Sequence, residues 1–176
     1  MTFSPDVSAA VVAGATRHGL DPYLVAAIVK QESSGRPEAI RFEPGSRLAV
    51  DVRTWAPFRP LDESEVASAR PPAGWHSVSP CSIATEWAAQ RTSWGLMQVL
   101  GATARDIGFQ GPFLSALLDP AEGVEWGCRF LRRLTKRYPL EAAVSAYNAG
   151  RPIEANRETY VEPVLRVLAD FTNGGF

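Results

Sequence analysis

A glutamate at the end of an apolar helical stripe is the residue of this sequence best suited to acid chemistry. Val25, Ile28 and Glu32 are spaced at i, i+3 and i+7, so they share one face of a predicted helix. A carboxyl group on such a face lies against the interior or a cleft wall, where desolvation raises its pKa. A carboxyl that keeps its proton near neutral pH can act as a general acid. The spacing alone leaves open a solvated or Arg-paired glutamate near a helix end.

Two short motifs and one tyrosine add amide and aromatic groups. Gly95–Gln98 is a glycine-led turn with one amide among apolar side chains, and Tyr147 and Asn148 precede a glycine stop at Gly150. Tyr160 begins the last predicted helix. Aromatic rings can cover the apolar face of a sugar, and amides bond to hydroxyl and acetamido groups. Taken singly, each motif also fits core packing or helix capping.

The order of these motifs resembles the soluble lytic transglycosylase family, whose catalytic domain has the goose-type lysozyme fold. The likeness covers about residues 20–170 and rests on Glu32-Ser33, Gly95-Leu96-Met97-Gln98, Thr103-Ala104-Arg105-Asp106, Asp119-Pro120, Gly127, Ala146-Tyr147-Asn148-Ala149-Gly150, and Tyr160-Val161 with Val164. It implies a mainly α, lysozyme-like fold and a peptidoglycan glycan strand as the binding partner.

The resemblance also implies roles for individual residues. Glu32 is the expected catalytic acid and base. Expected substrate-binding residues, at family positions or beside them in the motifs, are Ser33, Met97, Gln98, Tyr147, Asn148 and Tyr160. Trp94 directly precedes the glycine-led turn, so it is a candidate for sugar stacking, with core packing as the alternative.

Two features depart from the family pattern. Glu32 and the glycine-led turn are usually much closer in sequence, so the Pro- and Trp-rich stretch at about 36–90 is predicted to be an insertion on the cleft side. A small polar residue commonly precedes the glutamine by nine positions, and here that position is Ala89. Thr92 or Ser93 is a candidate to take over its role.

Two reactions are compatible with this resemblance. A lytic transglycosylase uses one carboxylate and produces a 1,6-anhydro end, whereas an inverting hydrolase needs a second carboxylate about 6.5–9.5 Å away. Goose-type enzymes carry an Asp directly after Gly-Leu-Met-Gln-Val, and Leu100 stands there in this chain, which favours the transglycosylase. The insertion offers Glu43, Asp51 and Glu86 as substitutes for that Asp. The alternative for Glu43 is an ion pair with Arg41, for Asp51 a solvated strand position, and for Glu86 a surface position.

A non-catalytic wall-binding or structural module that keeps the cleft is a hypothesis of another class. It predicts glycan binding without released fragments. The presence of Glu32 together with every cleft motif favours the enzyme.

Cap and stop signals predict a single domain over 1–176 with the insertion inside it. The predicted elements are helices over about 5–18 and 24–32, extended pieces at 41–43, 48–52 and 55–58, a short helix before Ala69, and helices over about 79–90, 101–107, from Asp119 onward, 140–147 and 158–171. Trp75 is expected to pack within the insertion, and Trp126 in the core.

Composition excludes several classes of protein. The 176 residues carry 18 Lys and Arg against 19 Asp and Glu, a net charge of −1, which argues against a nucleic-acid partner. No membrane span, metal or cofactor is expected, and a monomer is favoured. Cys81 and Cys128 are expected to be buried free thiols, with a disulfide as the alternative. No standard signal peptide is recognisable, so action on the cell wall would need phage delivery, a virion or dedicated export.

Overall fold

Two capped helices begin the fold and carry the glutamate to its place. The computed structural model describes residues 2–77 and 80–176. Helix α1 spans Pro5–His18 and helix α2 spans Pro22–Ser33, each with a proline in its first turn. The side chain of Asp21 accepts a hydrogen bond from the Tyr23 N–H and so caps α2. The predicted helix over 5–18 is confirmed, and α2 contains the predicted 24–32.

The insertion contains short strands and two helices, as its sequence predicts. Its elements are β1 at Ile40–Phe42, β2 at Val50–Asp51, β3 at Ala56–Pro57, α3 at Glu63–Ala67 and α4 at Ile83–Gln90. Asp62 and Glu65 form a reciprocal capping box at the start of α3. Ser82 caps α4, so this helix begins later than its predicted start at Ser79, which lies outside the described residues.

The rest of the chain is mainly helical. It comprises β4 at Thr92–Trp94, β5 at Val99–Leu100, α5 at Gly101–Asp106, a 3-10 helix at Leu114–Leu118, α6 at Pro120–Thr135, α7 at Leu140–Ala149, a 3-10 turn at Glu154–Asn156, a π-helix at Arg157–Val161 and α8 at Glu162–Gly174. The predicted last helix therefore begins as a π-helical turn, which carries Tyr160.

The insertion emerges from a small antiparallel sheet. Strand order is β1-β4-β5, with Arg41 opposite Ser93, and β2 pairs separately with β3. The Glu43 N–H donates to the Arg91 carbonyl at 2.8 Å, so the chain leaves and re-enters this sheet at neighbouring points. Residues 44–90 thus form a long excursion between two paired strands.

Two hydrophobic clusters hold the structure together. The larger one surrounds α2, where Val25–Val29 is fully buried, and Trp126 packs at its edge with its ring 5.3 Å from Phe109. The smaller one lies within the insertion, where the rings of Trp75 and Trp87 meet edge to face at 5.5 Å. The buried position predicted for Trp75 is confirmed, whereas Trp126 is half-buried at the edge of the larger cluster rather than within it.

Two acidic residues of the insertion are buried rather than solvated. Glu86 on α4 and Arg105 on α5 are both 0% exposed and form two hydrogen bonds of 2.7 and 2.9 Å. Asp51 is 3% exposed and accepts two hydrogen bonds from the Arg53 guanidinium. The predicted surface position for Glu86 and solvated position for Asp51 were wrong, because each carboxylate is neutralised by an arginine.

The structure also answers two questions raised by the sequence, the state of the cysteines and the presence of a membrane span. Cys81 and Cys128 are buried free thiols, as favoured from the sequence, and burial raises the pKa of Cys128 to about 12. Within residues 2–77 and 80–176, every helix is too short or too polar to cross a bilayer.

Candidate active site

Glu32 lies near the end of α2 and faces a cleft. The apolar stripe that includes Val25 and Ile28 is fully buried, so the helix carries its carboxyl out of the core at the cleft wall. Burial is the main reason that the pKa of Glu32 is raised. Smaller effects oppose each other, because Arg41 lowers this pKa and Glu43 raises it. Glu32 is thus a carboxyl group that retains its proton to a higher pH than usual.

Tyr160 is the direct partner of Glu32. Its hydroxyl donates to Glu32 Oε1 at 2.5 Å, and this hydrogen bond moderates the rise in the pKa of Glu32. Burial, followed by the charge of Glu32, raises the pKa of Tyr160 well above its usual range. The phenol therefore stays a hydrogen-bond donor to the carboxylate.

The glycine-led turn forms a second part of the wall. Gly95 has φ +69°, and a Cβ there would lie 2.2 Å from the Leu117 carbonyl oxygen, so only glycine fits. Gln98 also has positive φ, and its amide donates to the carbonyls of Ala39 and Gly95, each at 2.9 Å. The turn is therefore fixed in shape, and Gln98 lines the cleft.

The end of α7 supplies an aromatic ring and an amide. The Tyr147 hydroxyl donates to the Met97 carbonyl at 2.8 Å, and its ring lies 5.2 Å from that of Phe130. Burial raises the pKa of Tyr147 well above its usual range. Asn148 is exposed in the cleft, and α7 stops at Gly150 with φ +75°. Tyr147 thus ties the end of α7 to the glycine-led turn.

The small sheet and the start of the insertion supply a further part of the cleft wall. Glu43 accepts a hydrogen bond from Arg41 Nε at 2.6 Å and another from Ser93 Oγ at 3.0 Å. All three residues line the cleft together with Glu32. Ser93, one of the two candidates for the missing small polar residue, therefore lies in the cleft and holds Glu43.

The cleft has a volume of about 370 Å³. Besides the residues already named, its walls include Thr103, which belongs to one of the motifs quoted from the sequence, and four positions that sequence reasoning did not single out: Gly45, Ser46, Leu48 and Phe130. Phe130 had the helical spacing of a core residue, and the insertion segment carries no motif, so neither gave a local signal of a cleft.

Four predicted substrate-binding residues lie outside the cleft lining. Tyr160 is one of them, because it is buried and reaches the site only through its hydrogen bond to Glu32. Ser33 is buried, and its hydroxyl donates to the Leu96 carbonyl at 2.8 Å, which joins α2 to the glycine-led turn. Met97 is buried against Gly127. Trp94 is half-buried, packs on the larger cluster and donates from Nε1 to the Ala89 carbonyl. In this structure these side chains tie the elements around the cleft together, and their predicted contact with the glycan stays a prediction.

Of the three candidate second carboxylates, the structure places one in the cleft. Glu43 shares the cleft with Glu32, whereas Asp51 and Glu86 are absent from the lining. Glu86 is held in a fully buried ion pair, and the buried Asp51 is paired with the more exposed Arg53. In the described part of the chain, no group of three or more His, Cys, Asp or Glu side chains could hold a metal ion.

The family model of the transglycosylase SLT domain matches residues 10–162, which contain Glu32, the glycine-led turn and Tyr160. No solved structure gives a significant match to the chain.

Proposed function

Because the chain belongs to the transglycosylase SLT domain family, we propose that it is a peptidoglycan lytic transglycosylase with Glu32 as its single catalytic acid and base. The family acts on the glycan strands of the bacterial cell wall, on the periplasmic or extracellular side. The observation that carries the assignment is the desolvated carboxyl of Glu32 in a cleft with amide and aromatic walls.

Glu32 transfers a proton twice in this reaction. In the first step its carboxyl donates a proton to the glycosidic oxygen, and the bond from that oxygen to C1 of N-acetylmuramic acid breaks. In the second step the Glu32 carboxylate accepts the proton of the C6 hydroxyl of the same sugar, and O6 bonds to C1. The products are a 1,6-anhydro end and a free 4-hydroxyl on N-acetylglucosamine, and no water is consumed.

The cleft residues support both steps. The hydrogen bond from Tyr160 stabilises the carboxylate that remains after the first proton transfer. The Gln98 side-chain oxygen can accept from sugar hydroxyl or acetamido N–H groups, because its nitrogen already donates to Ala39 and Gly95. The amide of Asn148 also faces the cleft, and the rings of Tyr147 and Phe130 form an apolar wall. The acetamido group of the substrate helps to stabilise the positive charge that develops at C1.

Hydrolysis is the second candidate, and the position of Glu43 favours it. Glu43 is held in the same cleft by Arg41 and Ser93, where a carboxylate could activate a water molecule. An inverting muramidase requires such a second carboxylate, whereas a lytic transglycosylase does not.

Product analysis separates the two reactions. Purified peptidoglycan is digested with the wild-type protein, and the released muropeptides are examined by mass spectrometry. The proposal predicts 1,6-anhydro ends, no fragments from Glu32→Gln, and continued cleavage by Glu43→Gln. Reducing ends, together with loss of cleavage in Glu43→Gln, would establish the hydrolase instead.

Glu63→Gln is the matched control, because the Glu63 side chain is 93% exposed on α3. It should cleave like the wild type. If the wild-type protein binds glycan but releases nothing, and Glu32→Gln binds equally well, the protein is a wall-binding module and the enzymatic proposal is wrong.

A further inference from the structure

Asn148 is held in the cleft by a second asparagine. Its Oδ1 accepts a hydrogen bond of 3.1 Å from Nδ2 of Asn156, which lies in the turn just before the π-helix of Tyr160. Asn148 is exposed, whereas Asn156 is only 6% exposed. The buried amide therefore sits behind the exposed one.

The orientation of Asn156 is set by the backbone. Its Nδ2 lies 3.0 Å from the carbonyl oxygen of Ser145, which can only accept a hydrogen bond. Its Oδ1 lies 2.7 Å from the Ser145 hydroxyl, which also lies 3.0 Å from the Ile153 carbonyl oxygen and has one proton to donate to either acceptor. The hydroxyl could also accept from the amide, but the carbonyl is satisfied only when the nitrogen faces it, so the Ser145 carbonyl sets a single good orientation of the Asn156 amide.

The orientation of the Asn156 amide in turn fixes the orientation of the Asn148 amide. The second hydrogen on Asn156 Nδ2 points to Asn148, and only the oxygen of Asn148 can accept it. Its own Nδ2 is the polar atom left for the cleft, and within the described residues it has no hydrogen-bond acceptor. The cleft therefore receives an N–H donor at this position rather than a carbonyl.

We propose that Asn156 is a positioning residue that makes Asn148 a fixed hydrogen-bond donor for an acceptor oxygen of the glycan, such as the carbonyl of an N-acetyl group. This inference rests on the proposed function, since it assigns a ligand to the same cleft. Fixing the amide in advance removes the cost of choosing its orientation when the sugar binds.

Binding is measured in the Glu32→Gln background, so that no cleavage occurs. The probe is the uncharged tetrasaccharide of N-acetylglucosamine, titrated by calorimetry. Asn148→Asp keeps an oxygen for Asn156 but replaces the donor with a second acceptor, so affinity should fall by about tenfold or more. Unchanged affinity in Asn148→Asp would mean that the cleft uses an acceptor at this position, and the proposal would be wrong.

A double-mutant cycle tests the role of Asn156. Asn156→Asp removes the N–H that holds Asn148, so it should weaken binding by about tenfold in the Glu32→Gln background. In the Asn148→Ala background the same change should have no further effect, because there is no amide left to orient. Equal losses in both backgrounds would contradict the inference.

Ser145→Ala is the matched control. It removes a hydroxyl from the same buried group but leaves the backbone carbonyl that orients Asn156. This variant should lose thermal stability and keep its affinity for the tetrasaccharide. An affinity loss as large as that of Asn156→Asp would show a general structural effect.

The outcomes also separate this inference from the proposed function. If Glu32→Gln does not bind the tetrasaccharide while the wild-type protein releases 1,6-anhydro muropeptides, this inference fails and the proposed function stands. If binding follows the predicted cycle while wild-type protein releases no muropeptides, the positioning role of Asn156 stands and the enzymatic proposal falls.

Discussion

The hydroxyl of Tyr160 and the carboxyl of Glu32, 128 positions apart in the sequence, are joined by a hydrogen bond of 2.5 Å. The donor comes from a π-helical turn, and the acceptor comes from near the end of a helix that crosses the larger hydrophobic cluster. Burial raises the pKa of Glu32, and this hydrogen bond limits the rise. Two distant segments therefore set the acidity of one group.

Replacing Tyr160 should shift the pH dependence of activity. Tyr160→Phe removes the hydrogen bond that lowers the pKa of Glu32, so this pKa rises further. Activity depends on protonated Glu32 and is lost as pH rises through that pKa, so the alkaline limb of kcat/KM should move to higher pH. Turbidity assays on cell-wall suspensions across a pH series measure this shift. A limb that moves to lower pH would contradict the assignment.

Replacing Glu43 should shift the same limb in the opposite direction. The negative charge of Glu43 raises the pKa of Glu32, so Glu43→Gln lowers it and moves the alkaline limb to lower pH. The same pH series applies, with Tyr160→Phe as the internal comparison. Shifts of the same sign in both variants would show that Glu32 does not control this limb.

Glu32 should also make stability depend on pH. Below the ordinary glutamate pKa of 4.5, both the folded and the unfolded chain hold the proton. As pH rises, the unfolded chain releases it first, because the folded pKa is raised, so the free energy of unfolding falls until pH passes the folded pKa. Relative to Glu32→Gln, the wild type should therefore lose stability over this window. Urea unfolding of both proteins at several pH values tests this, and a constant difference would contradict it.

The buried ion pair between α4 and α5 should be essential for stability. Glu86→Gln leaves Arg105 as an unbalanced charge in a fully buried position, and the expected loss is about 3–5 kcal/mol of unfolding free energy. Replacing Arg105 with Met in the same protein should recover much of the loss, because the unpaired charge is removed. Glu63→Gln is the exposed control. Urea titration measures all three, and equal stability of Glu86→Gln and Glu63→Gln would disprove the role of the pair.

The packing of α6 against the glycine-led turn gives a further prediction. A Cβ at Gly127 would lie 2.6 Å from Met97 Cβ, so Gly127→Ala should lose about 1–3 kcal/mol of unfolding free energy. Activity should fall as well, because the Met97 carbonyl holds Tyr147. Gly174→Ala, with nothing within 4 Å of the added carbon, is the control. Equal stability of the two variants would contradict the prediction.

Local signals were enough to predict the helices that frame the cleft. Caps such as Asp21 and the spacing of Val25, Ile28 and Glu32 depend on neighbours a few residues away, and the structure places these residues as the pattern indicated. The predicted surface position of Glu86 failed for the opposite reason. Its partner Arg105 lies 19 residues away on another helix, and no local pattern pairs the two.

The motifs predicted the cleft better than they predicted which side chains line it. Ser33 and Met97 follow or accompany cleft residues in sequence, yet a one-residue step on a helix or turn directs a side chain to the other side. Ser46 and Leu48 enter the cleft only because β1 pairs with β4 across the whole insertion. Such long-range pairing depends on tertiary structure, which the motifs do not record.

The excursion at residues 44–90 begins and ends beside one backbone hydrogen bond, between Glu43 and Arg91. A tight turn that joined these two points directly would remove Gly45, Ser46 and Leu48 from the cleft wall and leave the cleft more open. Such a deletion would also remove Glu86, so a shortened protein would require an apolar residue in place of Arg105. The segment is thus continuous with the rest of the fold through at least two contacts, the Glu86–Arg105 ion pair and the hydrogen bond from Trp94 to the Ala89 carbonyl.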